Sequence, residues 1–363
     1  MSPSFVPERV VLPMSVFAPL SPPVSAAALA TPAVLLLLFN RPDTTRAVFA
    51  AIRQAQPARL YVAADGPRPG HPADVAACAA ARAEVARIDW PCQVHTLFQD
   101  RNLNCGVGPV TAINWFFSQE EEGIVLEDDC VPAPDFFRFC AELLARYRFD
   151  ARVLHIGGYN SEAAARHAPA PGADSYYFST HVSSWGWATW RRAWQHYRFE
   201  MTGFEDLCAQ GRLRKYYGSR AEAYLWRRRF EQVRQAPSPP DVWDFQWHFT
   251  VAAQAGLAIM PAVNLVGNIG FGTHATHTLD ADDDQAAMPT ASLPAVLRHP
   301  AVHRNRQRDR QRFRDFVASR LAANARRLLK RIARLLEPKV KISRPENRSR
   351  VASASLPEQQ AKC

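Results

Sequence analysis

Residues 124–129 read Ile-Val-Leu-Glu-Asp-Asp, an apolar run that ends in the consecutive carboxylates Glu127, Asp128 and Asp129. Like charges this close repel one another, and at the end of a buried strand they are costly to hold without a cation. A carboxylate in that place can grip a hard divalent metal through one or two oxygens, leaving the other positions to water and to the phosphates of a nucleotide. The same triplet would also serve as a solvated acidic turn capping the helix that follows Pro-Ala-Pro-Asp-Phe-Phe at 132–137. Two earlier loops carry groups of matching chemistry. Asn40, Arg41 and Pro42 follow an apolar run at 34–39 and offer a guanidinium to a nucleotide, while Asp65, after a second run at 60–64, offers a hydrogen-bond acceptor. Each could instead be a helix cap or a turn residue.

These groups act together only on a scaffold that gathers their loops, and the hydrophobic pattern predicts one. Residues 34–39 read as a strand, 43–54 as a helix with Asp43 or Thr44 near its start, and 60–64 as a strand ended by Asp65, Gly66 and Pro67. An Ala-rich helix at 73–88, a strand at 93–98, a helix at 109–119 with Pro109 in its first turn and a strand at 123–126 follow. This alternation predicts an α/β fold with a mostly parallel central sheet, helices on both faces, and ligands beyond the carboxyl ends of the strands. The loops at 40–42, 65–68 and 127–130 should therefore converge. Past residue 150 the alternation weakens to a strand at 152–156, an aromatic-rich segment at 184–194, a charged helix at 212–235, a Pro-rich break at 237–240, and a segment at 241–254. No internal repeat is present.

The strand, acidic triplet and Pro-x-Phe-Phe helix resemble the nucleotide-sugar-binding motif of GT-A-fold glycosyltransferases. Within that group they are most similar to the N-acetylglucosaminyltransferase I type, in which a Glu-Asp-Asp precedes a similar Ala-Pro-Asp-Phe-Phe. The resemblance spans about residues 34–278 and is strongest at 34–66 and 109–140. It implies a GT-A (Rossmann-like) nucleotide-diphospho-sugar transferase fold and a UDP-sugar donor, UDP-GlcNAc among the choices. It also implies a Mn²⁺ or Mg²⁺ cofactor, a hydroxyl of a glycan or lipid-linked saccharide as acceptor, and inversion by direct displacement. Asp129 would then be the direct metal ligand, Asp128 would face the ribose, Glu127 the donor sugar, and Asn40, Arg41 and Asp65 would line the nucleotide pocket. A cation on the diphosphate would neutralise the charge that builds on the departing nucleoside diphosphate. A nucleotide-sugar-binding protein without turnover and a nucleotidyltransferase of related fold stay open as alternatives. The second usually carries a Gly-rich, Lys/Arg-bearing loop after the first strand, which Asn40-Arg41-Pro42-Asp43 does not supply.

Further along, residues 183–190 read Ser-Ser-Trp-Gly-Trp-Ala-Thr-Trp. The spacing of Trp187, Trp190 and Trp194 predicts one face of a helix packed in the core. Trp185 and Gly186 precede it, and glycine lets backbone approach a ligand closely. The family has a Gly-Trp at a comparable place on the cleft wall, which puts Trp185 and Gly186 at the donor sugar. Trp243-Asp244-Phe245-Gln246-Trp247 sets a carboxylate between aromatics, a surrounding that raises its basicity and suits the base an inverting transferase needs. A Trp-Asp-Asp-Trp segment holds that base in the family; here the second acidic position is Phe245, so Asp244 is the expected base, Asp241 is held in reserve, and helix capping is the other role open to Asp244. His274 and His277 have no Cys or third His at a matching spacing, which disfavours a zinc site. By the resemblance, His277 would reach the diphosphate or its metal. Gly106-Val107-Gly108 lacks the Lys-Ser/Thr of a P-loop and the third Gly of a dinucleotide fingerprint, and reads as a turn.

A chain of 363 residues with 47% hydrophobic and 21% charged content is neither collagen-like, mucin-like nor wholly disordered. Seven scattered cysteines without a Cys-x-x-Cys pair indicate neither a disulfide framework nor a zinc ribbon, and they suit a reducing cytoplasm. No run reaches the ~18 to 20 apolar residues of a membrane span. Only 5 of the 44 basic residues are Lys, a bias that suits a GC-rich bacterial genome. Residues 298–350 hold 18 Arg or Lys against 4 Asp or Glu, a net +14 that leaves the remainder of this +10 chain at −4. Within this stretch Val317, Leu321, Ala325, Leu328, Ile332 and Leu335 recur at helical spacing among arginines. A basic amphipathic helix suits an anionic membrane surface; packing on the body or on a partner is the alternative, and nucleic acid is disfavoured because aromatics and reading motifs are lacking. The expected organisation is a mobile leader at 1–33 and a GT-A domain at 34–290. That domain divides into a nucleotide-sugar-binding half at 34–150 and an acceptor half at 151–290. A basic helical tail at 291–363 follows, disordered at its end, and the protein would be cytoplasmic and peripheral on the inner face of the membrane.

Overall fold

Every residue of the first strand, β1 (Val34–Leu38), is apolar and buried, as a strand covered on both faces requires. Val34, Leu36 and Leu38 join one core cluster and Leu35 and Leu37 another, following the two-residue period of a strand. In the computed structural model, which describes residues 29–162, 167, 169–170, 172–237, 239–271 and 288–336, the following elements come next: α1 (Pro42–Ala55), β2 (Arg59–Ala64), α2 (Pro72–Glu84), β3 (Gln93–Phe98), α3 (Asn104–Gln119), β4 (Glu122–Glu127), β5 (Cys130–Pro132) and α4 (Pro134–Tyr147). The second half supplies β6 (Val153–Gly157), β7 (Tyr176–Ser179), β8 (Trp187–Trp190), α5 (Arg191–Trp194), α6 (Phe204–Ala209), α7 (Arg212–Tyr217), α8 (Arg220–Arg234), α9 (Asp244–Ala253), β9 (Leu257–Pro261), β10 (Val266–Asn268) and α10 (Arg306–Leu336).

The main sheet runs β3-β2-β1-β4-β8-β6-β9-β7. Its first four strands are parallel. β8 is antiparallel to both β4 and β6, β9 is parallel to β6, and β7 is antiparallel to β9. The fold is therefore mixed α/β, with the expected parallel sheet on the side that ends in the acidic triplet. α1 and α4 cover one face through Val48, Phe49, Ile52, Phe136 and Phe139. α3 and α9 cover the other through Ile113, Phe116, Trp247 and Val251. β5 and β10 pair as a short antiparallel ribbon that leads away from the triplet.

Several elements differ from the sequence-based expectation. Trp187, Trp190 and Trp194 do not share a helical face: Trp187 and Trp190 lie on β8, pointing into opposite cores, and only Trp194 is helical. Pairing with β4 on one side and β6 on the other outweighs the three- and four-residue spacing. α3 begins at Asn104, so Gly106-Val107-Gly108 forms helix and Pro109 lies inside it. The Asn104 Oδ1 caps this start by accepting from the Gly106 and Val107 N–H groups at 2.8 and 2.9 Å. The charged segment at 212–235 is two helices, because Gly218 takes a left-handed conformation (φ 69°) and Ser219 caps a new start. The Ala-rich helix ends at Glu84, and Val85–Arg87 tightens into a 3-10 turn.

The chain divides into two compact units at Arg310 and Gln311. Leu293 and Leu297 belong to the main core, and the Ser175 N–H donates to the Arg298 carbonyl at 3.0 Å. Asp309, fully buried, accepts from the Ser179 hydroxyl at 2.6 Å and the Thr180 hydroxyl at 3.1 Å and pairs with Arg304. Residues 1–28, the histidines at 274 and 277, and 337–363 lie outside the described residues. Since removing a buried leucine alone costs about 2–5 kcal/mol, a chain ending after Pro294 should melt well below one ending after Ser319 by calorimetry. Equal melting would place the end of the body near residue 290.

Candidate active site

The loops after β1, β2 and β4 do converge. They line a cavity of about 600 Å³ together with residues that begin α3 and α9, a size within the range of small-molecule sites. Arg41, Asp65, Glu127, Asp128, Asp129, Trp185 and Asp244 all line it.

Parallel register sets Glu127 opposite Leu37, so the triplet starts where β1 ends. The Phe39 N–H donates to Asp128 Oδ2 at 3.2 Å. Arg41 then bridges the next two carboxylates: Nη2 lies 2.6 Å from Asp128 Oδ1 and Nη1 lies 2.9 Å from Asp129 Oδ2. Asp128 and Asp129 are buried, at 3% and 8% exposure, so neither charge is relieved by water. Burial alone would weaken the guanidinium's hold on its proton, but the two carboxylates more than offset this and raise its pKa. Burial, then the like charges of Asp129, Asp244 and Asp128, pushes Glu127 well above the usual carboxylate range. Burial also raises Asp128, with Arg41 opposing the shift and Asp129 adding to it.

Asp65 spends its carboxylate on the opposite wall. It accepts from the Gly66 and Leu103 N–H groups at 2.9 and 2.8 Å and from the Asn102 side chain at 3.0 Å, fixing the loop that enters α3. Its pKa is raised by burial, against these backbone N–H groups, which lower it. Asp241 is likewise engaged, accepting from the Cys105 N–H at 3.0 Å at the start of α3. Asp244 is the first residue of α9, where Trp243 is the N-cap and no side chain caps the helix; its carboxylate accepts from the adjacent Phe245 N–H at 3.0 Å and lines the cavity. Its charge is felt by Glu127 and by Tyr197. Of the two acids weighed as base, Asp244 is thus the one electrostatically joined to the triplet.

Trp185 packs edge-on against Tyr159 (centroids 4.5 Å apart) and Phe271 (5.7 Å) and forms an aromatic wall. The loop before it is held by His155, which burial pushes down to about 3 and so keeps neutral. His155 Nδ1 accepts from the Trp247 indole at 3.1 Å, so its Nε2 is the protonated nitrogen and donates to the Ser183 carbonyl, also at 3.1 Å. Gly186 stands behind this wall and does not line the cavity. It has φ 60°, and a Cβ there would lie 2.7 Å from Val266 Cγ2, so core packing explains the glycine. Asn40 also points elsewhere: its amide donates to Asp74 at 2.8 Å.

Asp74 leads to a group the sequence reading passed over. This buried carboxylate in the first turn of α2 takes both the Nε (2.7 Å) and Nη2 (3.0 Å) of Arg68, and that pairing holds its pKa well below the usual range. Arg68 lines the cavity with its guanidinium over the Phe39 ring, 5.4 Å from the centroid. The strand alternation pointed to its loop at 65–68, but nothing local marked Asp74 as its partner. Asn102 and Asn104 are cavity residues of the same kind, legible only once α3 is in place.

Glu127, Asp128 and Asp129 supply the hard oxygen donors that suit Mg²⁺ or Mn²⁺. Among the described residues no three His, Cys, Asp or Glu side chains are gathered to hold a metal by themselves. A divalent cation fits here in the manner of nucleotide sites, on one or two carboxylate oxygens with water and phosphate completing its shell.

No family model matches the chain, and no curated protein matches it. Solved structures to which it is similar include the inositol-1-phosphate CTP transferase from T. maritima, at 6% identity and TM-score 0.36 over 71% of this chain and 95% of that one. HddC from Yersinia pseudotuberculosis matches at 9% identity and TM-score 0.28, over 44% and 77%. Mouse xyloside xylosyltransferase 1, in its apo form, matches at 11% identity and TM-score 0.32, over 61% and 81%. At such scores the site has to be read from its own geometry.

The crowding of carboxylates has a measurable consequence. Glu127 and Asp128 bind protons more tightly folded than unfolded, so their support for the fold is complete below the ordinary carboxylate range and is lost as pH rises through their raised values. Glu127→Gln should therefore stabilise the unliganded protein against urea near about pH 8, by a margin that shrinks toward about pH 5. A margin independent of pH would show that like-charge repulsion is not what Glu127 experiences.

Proposed function

We propose that the chain is a metal-dependent glycosyltransferase of the GT-A type. On this reading it moves a sugar from a UDP-sugar, with inversion, to a hydroxyl of a glycan or lipid-linked acceptor. The observation that carries it is the meeting in one cavity of Arg41 from β1, Asp65 from β2, the triplet from β4 and Asp244 from α9. The likeness to the N-acetylglucosaminyltransferase I type rests on sequence motifs, the triplet and the Pro-x-Phe-Phe helix first among them.

In this scheme the nucleoside lies along the loops that hold Asp65 and Arg68, and the diphosphate lies toward Arg41 and Asp129. Trp185 gives the donor sugar an apolar wall, and Glu127 accepts hydrogen bonds from its hydroxyls. Asp244 takes the proton of the acceptor hydroxyl as that oxygen bonds to the anomeric carbon, while the carbon–oxygen bond to the diphosphate breaks and its electron pair leaves with the nucleoside diphosphate. A divalent cation held by Asp129 would stabilise the charge on that leaving group. Titration calorimetry with uridine diphosphate should show binding that requires Mn²⁺ or Mg²⁺. Asp244→Asn should lower turnover by about 10²- to 10⁴-fold and leave donor binding nearly intact. Binding independent of metal, or equal turnover by the variant, would overturn the corresponding part of this reading.

The tail is assigned to a surface role. No described helix is long and apolar enough to cross a membrane. The residues from 311 on include part of α10, whose sequence sets an apolar stripe among arginines. Basic residues near anionic lipid contribute ~1 kcal/mol each at low salt and less as screening rises. The full chain should sediment with phosphatidylserine vesicles and be released by high salt, and a chain ending after Ser319 should stay in the supernatant. Equal partitioning of the two would leave the helix to a partner or to the body.

A further inference from the structure

Resting on the reading above, we infer that Arg41 is a resident cation that the metal must displace, so that the nucleotide-free site resists metal and the nucleoside diphosphate opens it. Asp128 and Asp129 each present a single oxygen to the cavity. Asp128 Oδ2 is taken by the Phe39 N–H at 3.2 Å, which leaves Oδ1. Asp129 Oδ1 is turned toward the Cys130 thiol (3.4 Å) and the Asn268 amide (3.5 Å) in the β5–β10 ribbon, which leaves Oδ2. Those two remaining oxygens are the ones Arg41 occupies, at 2.6 and 2.9 Å, with a different guanidinium nitrogen on each.

A divalent cation at bonding distance from Asp129 Oδ2 would lie within about 4–6 Å of that guanidinium, a range in which like charges strongly disfavour one another. Metal and Arg41 in its present place are therefore alternatives. The forked guanidinium also matches the oxygens of a diphosphate, and a multiply charged diphosphate competes well against the carboxylates for it. Arg41 directly precedes α1, and its backbone carbonyl is held by the Thr45 N–H and hydroxyl at 3.0 and 2.7 Å. Only the side chain, 22% exposed, has to move. Once it turns to the diphosphate, Asp129 Oδ2 is free for the metal and Asp128 Oδ1 is free for the nucleotide. Linkage makes this reciprocal: whatever factor the diphosphate adds to metal affinity, the metal adds to diphosphate affinity. Arg41 thus couples the two ligands and keeps the site from filling with metal alone.

The experiment measures Mn²⁺ binding by the loss of free-ion paramagnetic resonance signal, in the full chain, with and without saturating uridine diphosphate. The wild type should bind Mn²⁺ alone at least about tenfold more weakly than with the nucleotide, a coupling within the range of linked sites. Arg41→Gln should bind Mn²⁺ alone at least about tenfold more tightly than the wild type and show a smaller coupling factor, the part that remains coming from phosphate oxygens in the metal's own shell. Arg41→Lys keeps the charge but cannot bridge both carboxylates, so it should fall between them and serves if the glutamine variant folds poorly. Equal affinity of wild type and both variants for Mn²⁺ alone would overturn the exchange. Failure of every form to bind uridine diphosphate would instead remove the nucleotide-sugar reading, and the comparison with Mn²⁺ alone would still decide the role of Arg41.

Discussion

Negative charge at the carboxyl end of β4 is held in place by geometry that offers it no retreat. Parallel pairing pins Glu127 against β1, and the chain then runs at once into the β5–β10 ribbon, so Asp128 and Asp129 cannot swing out into water. Relief has to come from the neighbouring strand's loop, and it comes as Arg41. Arg41 is placed in turn by α1, whose first residue is Pro42 and whose Thr45 holds the Arg41 carbonyl from two directions. β1 and α1 thus carry the guanidinium to the place opposite those carboxylates.

The other walls obey the same economy of buried charge. Asp65 closes the loop into α3, Asp241 meets a backbone N–H at the start of that helix, and Asp74 fixes Arg68 and Asn40 together. Each of these carboxylates is committed to protein donors, so this end of the cavity is held by the protein's own hydrogen bonds. Asp244 and Glu127 differ in kind. Burial and mutual repulsion leave Glu127 holding its proton too tightly, and Asp244 is among the charges responsible. The cavity thus has groups fixed by protein donors at one end and crowded negative charge at the other.

On the far side of the sheet the aromatic residues work as structure. Trp187 stacks near His155 and Trp243, at 5.4 and 5.6 Å, and that packing carries α9, and hence Asp244, to the cavity rim. His155 stays neutral in this environment and its hydrogen bond to Ser183 steadies the loop that presents Trp185. The positions of Asp244 and Trp185 at the cavity thus both depend on one tryptophan-rich core.

The alternation of strand and helix through the first half, the buried run of β1, and the acidic triplet beyond β4 were all legible in the sequence, because each depends on periodicity or charge within a few neighbouring residues. So was the meeting of the loops after β1, β2 and β4, since parallel strands with helical crossovers leave those loops on one edge. Tertiary structure decided the rest. Trp187 and Trp190 became strand because β4 and β6 stand on either side of them, a fact their own spacing cannot contain. Gly186 proved to be a packing residue because Val266, eighty positions later, closes on it. Arg41 on Asp128 and Asp129, Arg68 on Asp74, Asp241 on Cys105 and Asp309 beneath Ser179 are pairings between groups that local pattern treats as independent. Local propensity determined which elements form and roughly where the chemistry lies; only the folded chain determined which charge neutralises which, because in a low-dielectric interior every buried ion must find its partner from whatever the topology brings near.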